Sequence, residues 1–98
     1  MSTASTVDIV FDVPVDHPCF TGHFPGAPIL PGALLLDEIV RHLPGLAAPV
    51  RLTAVKFRHP VQPGTRLLLR FAAREDGAVR FSAQDADVVV ADGLASRG

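Results

Sequence analysis

Residues 31–43 read Pro31-Gly32-Ala33-Leu34-Leu35-Leu36-Asp37-Glu38-Ile39-Val40-Arg41-His42-Leu43, and Pro44-Gly45 follows at once. Alanine, leucine and glutamate favour helix and the Pro-Gly pair stops it, so the spacing predicts a helix over Ala33–Leu43. Pro31 suits the first helical position, where its missing N–H costs nothing. At 100° per residue, Asp37, Glu38, Arg41 and His42 fall in an arc of roughly 140°, and apolar side chains take the rest. Such a helix is expected to be largely enclosed, with one polar strip.

Outward from this helix the pattern changes. Upstream, Val7, Ile9, Phe11 and Val13 alternate with Asp8, Val10 and Asp12, the period of a half-buried strand. Downstream, strands are expected at Val50–Pro60, Arg66–Arg74, Ala78–Gln84 and Val88–Ala95, with turns at Gln62-Pro63-Gly64, Glu75-Asp76-Gly77 and Asp85-Ala86-Asp87. Short turns between successive strands imply antiparallel neighbours. The plan is one strand, one helix, then four strands: an α+β arrangement in which a five-stranded antiparallel sheet wraps around one central helix. Residues 1–98 are expected to form a single domain.

Composition narrows the function classes. The chain has 98 residues, is 48% apolar and has a formal charge of −1, which argues against a general nucleic-acid binder. Chains of this size often gain stability by oligomerising. From Ile39 to Arg74 there are seven arginines and lysines and no acid, the acids lying towards both ends. This basic middle is either a solvated strand face or a surface that attracts an acidic partner. Cys19 is the single cysteine, so neither an internal disulfide nor a cysteine-based zinc site is expected. The first residues lack the basic start and apolar stretch of a signal peptide, and no apolar run is long enough to span a bilayer. A cytoplasmic location, away from membranes, is expected.

Chemistry concentrates just before and inside the helix. Pro14–Gly32 carries five prolines and three glycines, a density that forbids regular structure, and a loop of this length is more often functional than a simple connection. It holds the titratable His23, braced by Pro25, Pro28 and Pro31. The loop feeds the helix N-terminus, whose free N–H groups favour developing negative charge. Gly32 and Ala33 are small enough for a ligand carbonyl to come close to the backbone, and Gly26 is a further candidate for substrate binding. Asp37 follows one and a half turns into the helix. A base, an oxyanion site and an acid in one segment suit proton abstraction beside a thioester carbonyl. On spacing alone, a structural loop histidine and a solvated helix aspartate are the commoner readings of His23 and Asp37.

The segment His23-Phe24-Pro25-Gly26-Ala27-Pro28-Ile29-Leu30-Pro31-Gly32-Ala33-Leu34-Leu35-Leu36-Asp37 resembles the active-site signature of the β-hydroxyacyl-(acyl carrier protein) dehydratases, which share the hotdog fold. Lys56-Phe57-Arg58-His59-Pro60-Val61-Gln62-Pro63-Gly64 is similar to the strand and turn that follow the helix in that family. The resemblance implies dehydration of 3-hydroxyacyl-(acyl carrier protein) to the trans-2-enoyl thioester, in fatty-acid or related lipid or polyene biosynthesis. It implies His23 and Asp37 as the catalytic pair, supplied by different subunits of a dimer, and the Gly32 N–H as the oxyanion donor. No metal or organic cofactor is implied. Acyl carrier protein is the implied partner, with Arg51, Lys56, Arg58, Arg66 and Arg70 as candidate docking residues. Similar short chains include some that pair with a second, similar subunit, so a heterodimer or higher oligomer stands beside the homodimer. The Asp at position 37 matches the branch of the family that can also isomerise the double bond. Arg41 stands where the family often has Gln. An Asp–Arg pair one turn apart would favour the ionised carboxylate, unless Arg41 points outward beside Glu38. A hotdog thioesterase, an enoyl-thioester hydratase and a non-catalytic acyl-binding subunit remain the alternatives.

Overall fold

A computed structural model describes residues 6–16, 29–46 and 49–98. Strand β1 (Thr6–Asp12) precedes helix α1 (Gly32–Arg41), and β2 (Val50–Phe57), β3 (Arg66–Ala73), β4 (Val79–Asp85) and β5 (Val88–Arg97) follow. The five strands form one sheet in the order β1-β3-β4-β5-β2, and every neighbouring pair is antiparallel. This is the expected hotdog plan of one helix against a five-stranded sheet.

The core follows from the alternation. Leu67, Leu69 and Phe71 of β3 face the helix with Val79, Phe81 and Ala83 of β4, and all six are buried. Leu35 and Ile39 dock on this layer from the helix, one turn apart, as an apolar stripe requires. Val13, Val61, Val90, Ala91 and Ala95 complete the cluster.

Some expectations need correction. The helix starts at Gly32 and ends at Arg41, with Pro31 as its N-cap rather than its first helical residue (φ −60°, ψ 139°). Its carbonyl accepts the N–H groups of Leu34 and Leu35, so the proline still loses nothing at that position. Nor is the helix enclosed within this chain. Its far side, Ala33, Leu34, Asp37 and Arg41, is exposed.

The strand expected to run to Pro60 ends at Phe57 and contains a β-bulge. Thr53 pairs with Leu94 and Lys56 with Asp92, so Ala54 and Val55 together oppose Gly93. Ala54 adopts a left-handed φ of 54° to allow it. Gly93 is required opposite the bulge, because a Cβ there would lie 2.6 Å from the Phe81 ring and 3.1 Å from Val55. The register also shifts between β4 and β5, and there the Val90 carbonyl accepts the N–H groups of Arg58 and His59 just beyond β2.

Two substitutions of opposite sign check this backbone. Ala86, at the β4–β5 turn, has φ 54°. Ala86→Gly is expected to raise unfolding free energy by roughly 1 kcal/mol by removing a left-handed alanine. Gly93→Ala is expected to lower it by roughly 1–3 kcal/mol through overpacking on Phe81. Urea titration followed by circular dichroism measures both.

Candidate active site

The site is organised by the start of α1 and the end of β2. Leu30 donates its N–H to the Val61 carbonyl at 2.7 Å, which ties the residues entering the helix to the segment beyond β2. The N–H groups of Gly32 and Ala33 precede the first intrahelical bond and have no acceptor among the described residues. They lie at the end of the helix where the aligned peptide dipoles favour negative charge. Beside them is a cavity of about 400 Å³, walled by Leu30, Gly32 and Leu35 on one side and by Phe57, His59 and Val61 on the other.

Gly32 has a structural reason to lack a side chain. A Cβ there would fall 2.7 Å from Cζ of Phe57 and 2.9 Å from Cε1, so the tip of that ring rests against the helix start. The sequence reading missed Phe57. Nothing in the sequence singles it out, because only the fold shows that Val50 and Leu52 are followed on the same face by Val55 and not by residue 54.

Asp37 sits on the uncovered side of α1, and its carboxylate accepts a hydrogen bond from Arg41 Nη2 at 3.2 Å. Both side chains are 66% exposed in the single chain. Arg41 therefore does not turn away towards Glu38, whose carboxylate instead lies 3.4 Å from His42 Nε2. Leu34, on the same side of the helix, is itself exposed, and Leu36 and Val40 are only partly buried. His23 and Gly26 lie outside the described residues, as do His17 and Cys19. The structure thus brings Gly32, Ala33 and Asp37 onto one helix.

The candidate docking residues divide into two groups. Arg66 bonds Asp12 (2.7 and 3.3 Å), Arg70 bonds Asp8 (2.9 and 3.0 Å) and Arg58 bonds Asp92 (2.6 and 3.4 Å). Asp12 and Asp8 lie directly opposite Arg66 and Arg70 across β1 and β3. Hydrogen bonds from those arginines hold both carboxyls below the usual aspartate range. Any stability they add is present above the unfolded value and lost as pH falls through the lowered one, and exposed pairs add little. Arg51 and Lys56 make no ion pair among the described residues.

No group of three or more potential metal ligands occurs among the described residues, and none of their helices is long and apolar enough to cross a membrane.

Comparison with known proteins adds family evidence. The model of the ApeI-like family, described as ApeI dehydratase, matches residues 1–94. The 3-hydroxyacyl-(acyl carrier protein) dehydratase FabZ of Mannheimia succiniciproducens is 39% identical over 70 residues, a match covering 59% of this chain and 47% of that protein. The chain spans about half the length of the curated relatives it matches. Among solved structures, the dehydratase heterocomplex ApeI:P from Xenorhabdus doucetiae aligns with a TM-score of 0.76 and 27% identity, covering 93% of this chain and 85% of that one. The fluoroacetyl-CoA-specific thioesterase FlK shares the fold at a TM-score of 0.64 and 16% identity, over 97% of this chain and 91% of that one.

The contact between Gly32 and Phe57 is open to test. Gly32→Ala is expected to lower unfolding free energy by roughly 1–3 kcal/mol, because the ring must move. In a Phe57→Leu background the same change should cost much less. Additive effects in the double-mutant cycle would mean that the two residues do not touch.

Proposed function

This chain belongs to the ApeI-like dehydratase family, and from that premise we propose that it removes water from a 3-hydroxyacyl group carried on acyl carrier protein. The observation that carries the reading is the start of α1. There the Gly32 N–H opens beside an apolar cavity of about 400 Å³, with Asp37 further along the same helix.

In this mechanism the thioester oxygen accepts a hydrogen bond from the Gly32 N–H, which stabilises the enolate-like charge. His23 takes a proton from C2, and the electrons of that bond form the C2=C3 double bond. The C3–O bond breaks as Asp37 of the partner chain gives its proton to the departing hydroxyl, which leaves as water. Proton return from His23 to Asp37 through solvent resets the site. A partner surface over the uncovered side of α1 would exclude water from Asp37 and bury Leu34. The working unit is then a cytoplasmic dimer of single-domain chains, a homodimer or a pair with a similar subunit, needing neither metal nor organic cofactor.

Docking of the acidic carrier falls to Arg51 and Lys56, because Arg58, Arg66 and Arg70 already hold internal carboxylates. A second reading, a non-catalytic subunit that supports an active partner, is favoured by the Arg41–Asp37 ion pair, which occupies the carboxylate the reaction needs.

The deciding experiment incubates the protein, alone and with any co-purifying subunit, with 3-hydroxyacyl carrier protein and follows the acyl mass. Loss of one water supports dehydration, release of the acid supports a thioesterase, and an unchanged mass supports the non-catalytic reading. His23→Ala and Asp37→Asn are each expected to abolish turnover. If the sites are shared, mixing His23→Ala with Asp37→Ala chains of a homodimer restores roughly a quarter of wild-type activity, through mixed dimers with one intact site. No recovery, with exchange confirmed by native mass spectrometry, would place each site within one chain. Charge reversal at Arg51 and Lys56 should raise KM for the carrier-bound substrate, and increasingly so at low salt, while leaving a small thioester unaffected. Equal effects on both substrates would remove these residues from docking.

A further inference from the structure

Phe57 is the last residue of β2, and it remains 53% exposed although it is large and apolar. The bulge directs it. In an uninterrupted strand Leu52, Ala54 and Lys56 would share the helix-facing side, and Phe57 would point out with Val55. The register shift between Thr53 and Lys56 reverses this, placing Lys56 opposite Asp92 and turning Val55 and Phe57 towards the helix. The reversal needs a left-handed alanine, a conformation costing about 1–2 kcal/mol relative to ordinary backbone. A bulge that re-aims a side chain beside a cavity, and a strained residue that sustains it, are typical of functional positions. The ring then meets the one helix position that lacks a side chain, Gly32, and forms a wall of the apolar cavity with Leu30, Leu35 and Val61.

We infer that Phe57 is a positioning and specificity-determining residue: its ring walls the acyl path at the helix N-terminus, holding the carbons next to the thioester in place and admitting only a narrow, unbranched chain there. The inference rests on the proposed acyl-thioester site. An acyl carbonyl hydrogen-bonded to the Gly32 N–H has its C2 and C3 beside the ring tip. A methyl branch at C4 would compete with the ring for the same space, whereas a linear chain can continue into the cavity. Removing the ring loosens the reacting carbons without removing any group that takes or gives a proton.

The test has one readout that needs turnover and one that does not. Wild type, Phe57→Leu and Phe57→Ala are compared, with circular dichroism and urea midpoints establishing that each is folded. Binding is measured by calorimetry with two unreactive pantetheine thioethers, one bearing a linear acyl chain and one the same chain with a methyl branch at C4. Wild type should favour the linear ligand by roughly tenfold or more, and Phe57→Leu and Phe57→Ala should largely lose that preference. With linear 3-hydroxyacyl carrier protein, Phe57→Ala should lower kcat by roughly ten- to a hundredfold while KM changes little. An unchanged binding preference in Phe57→Leu and Phe57→Ala overturns the inference, whatever the turnover. If no variant dehydrates but the preference shifts as stated, the dehydratase reading fails while the role of Phe57 in acyl selection stands.

Discussion

A β-strand turns successive side chains to opposite faces, so one inserted residue exchanges inside for outside along everything beyond it. In β2 that exchange decides what the helix meets. Before the bulge Val50 and Leu52 pack against the core, and within it Val55 does so, while beyond it Phe57 reaches Gly32. Were the same residues an unbulged strand, Lys56 would be driven towards the apolar layer, where an unpaired ammonium is far more costly than a left-handed alanine. Gly93 makes the exchange feasible on the other strand, since it leaves room for Phe81 and for Val55 beside it. The geometry at the start of α1 therefore depends on backbone chemistry at Ala54 and Gly93, two residues that carry no functional group.

The helix is held more lightly than its sequence suggests. Of its ten residues, only Leu35 and Ile39 are fully buried. Burial of such side chains contributes roughly 1.5–3 kcal/mol each, and an isolated helix of this length is marginal in water. The remaining support comes from partly buried Leu36, from Leu30 and Leu43 flanking the helix, and from the bond that ties Leu30 to Val61. Leu34 and Ile29 stay exposed, at 37% and 44%, near the same helix start. A chain this short gains from covering such surface with another chain, and the same cover would surround Asp37. Stability and the drying of the acid would then come from one contact.

Regular period and clear punctuation were legible in the sequence. The alternation in β1 and the Pro44-Gly45 stop place those elements within one or two residues, and the short turns imply antiparallel pairing. The bulge was not legible in this way, because Arg51 to Phe57 still reads as an ordinary strand if one residue is allowed to be irregular. Exposure of the far side of α1 was hidden for another reason: leucines at positions 34, 35 and 36 look equally buried in a list, and only the sheet's position selects Leu35. Gly32 and Asp37 were readable as candidates from residue type and spacing, whereas Phe57 could be found only once the two elements had been brought together.

Charge makes the same point over longer range. Along the chain, the basic middle appears separated from its acids, which invites reading it as a surface for an acidic partner. Antiparallel pairing undoes that separation, because β1 lies beside β3 and brings Asp8 and Asp12 onto Arg70 and Arg66. In turn β5 brings Asp92 within reach of Arg58. These exposed pairs add little stability, but they cancel much of the field that their arginines would otherwise project. What remains is carried on the edge strand by Arg51 and Lys56, the same strand whose last residue, Phe57, walls the cavity. An acidic carrier drawn to those two cations would approach along β2, whose end lies beside the Gly32 N–H.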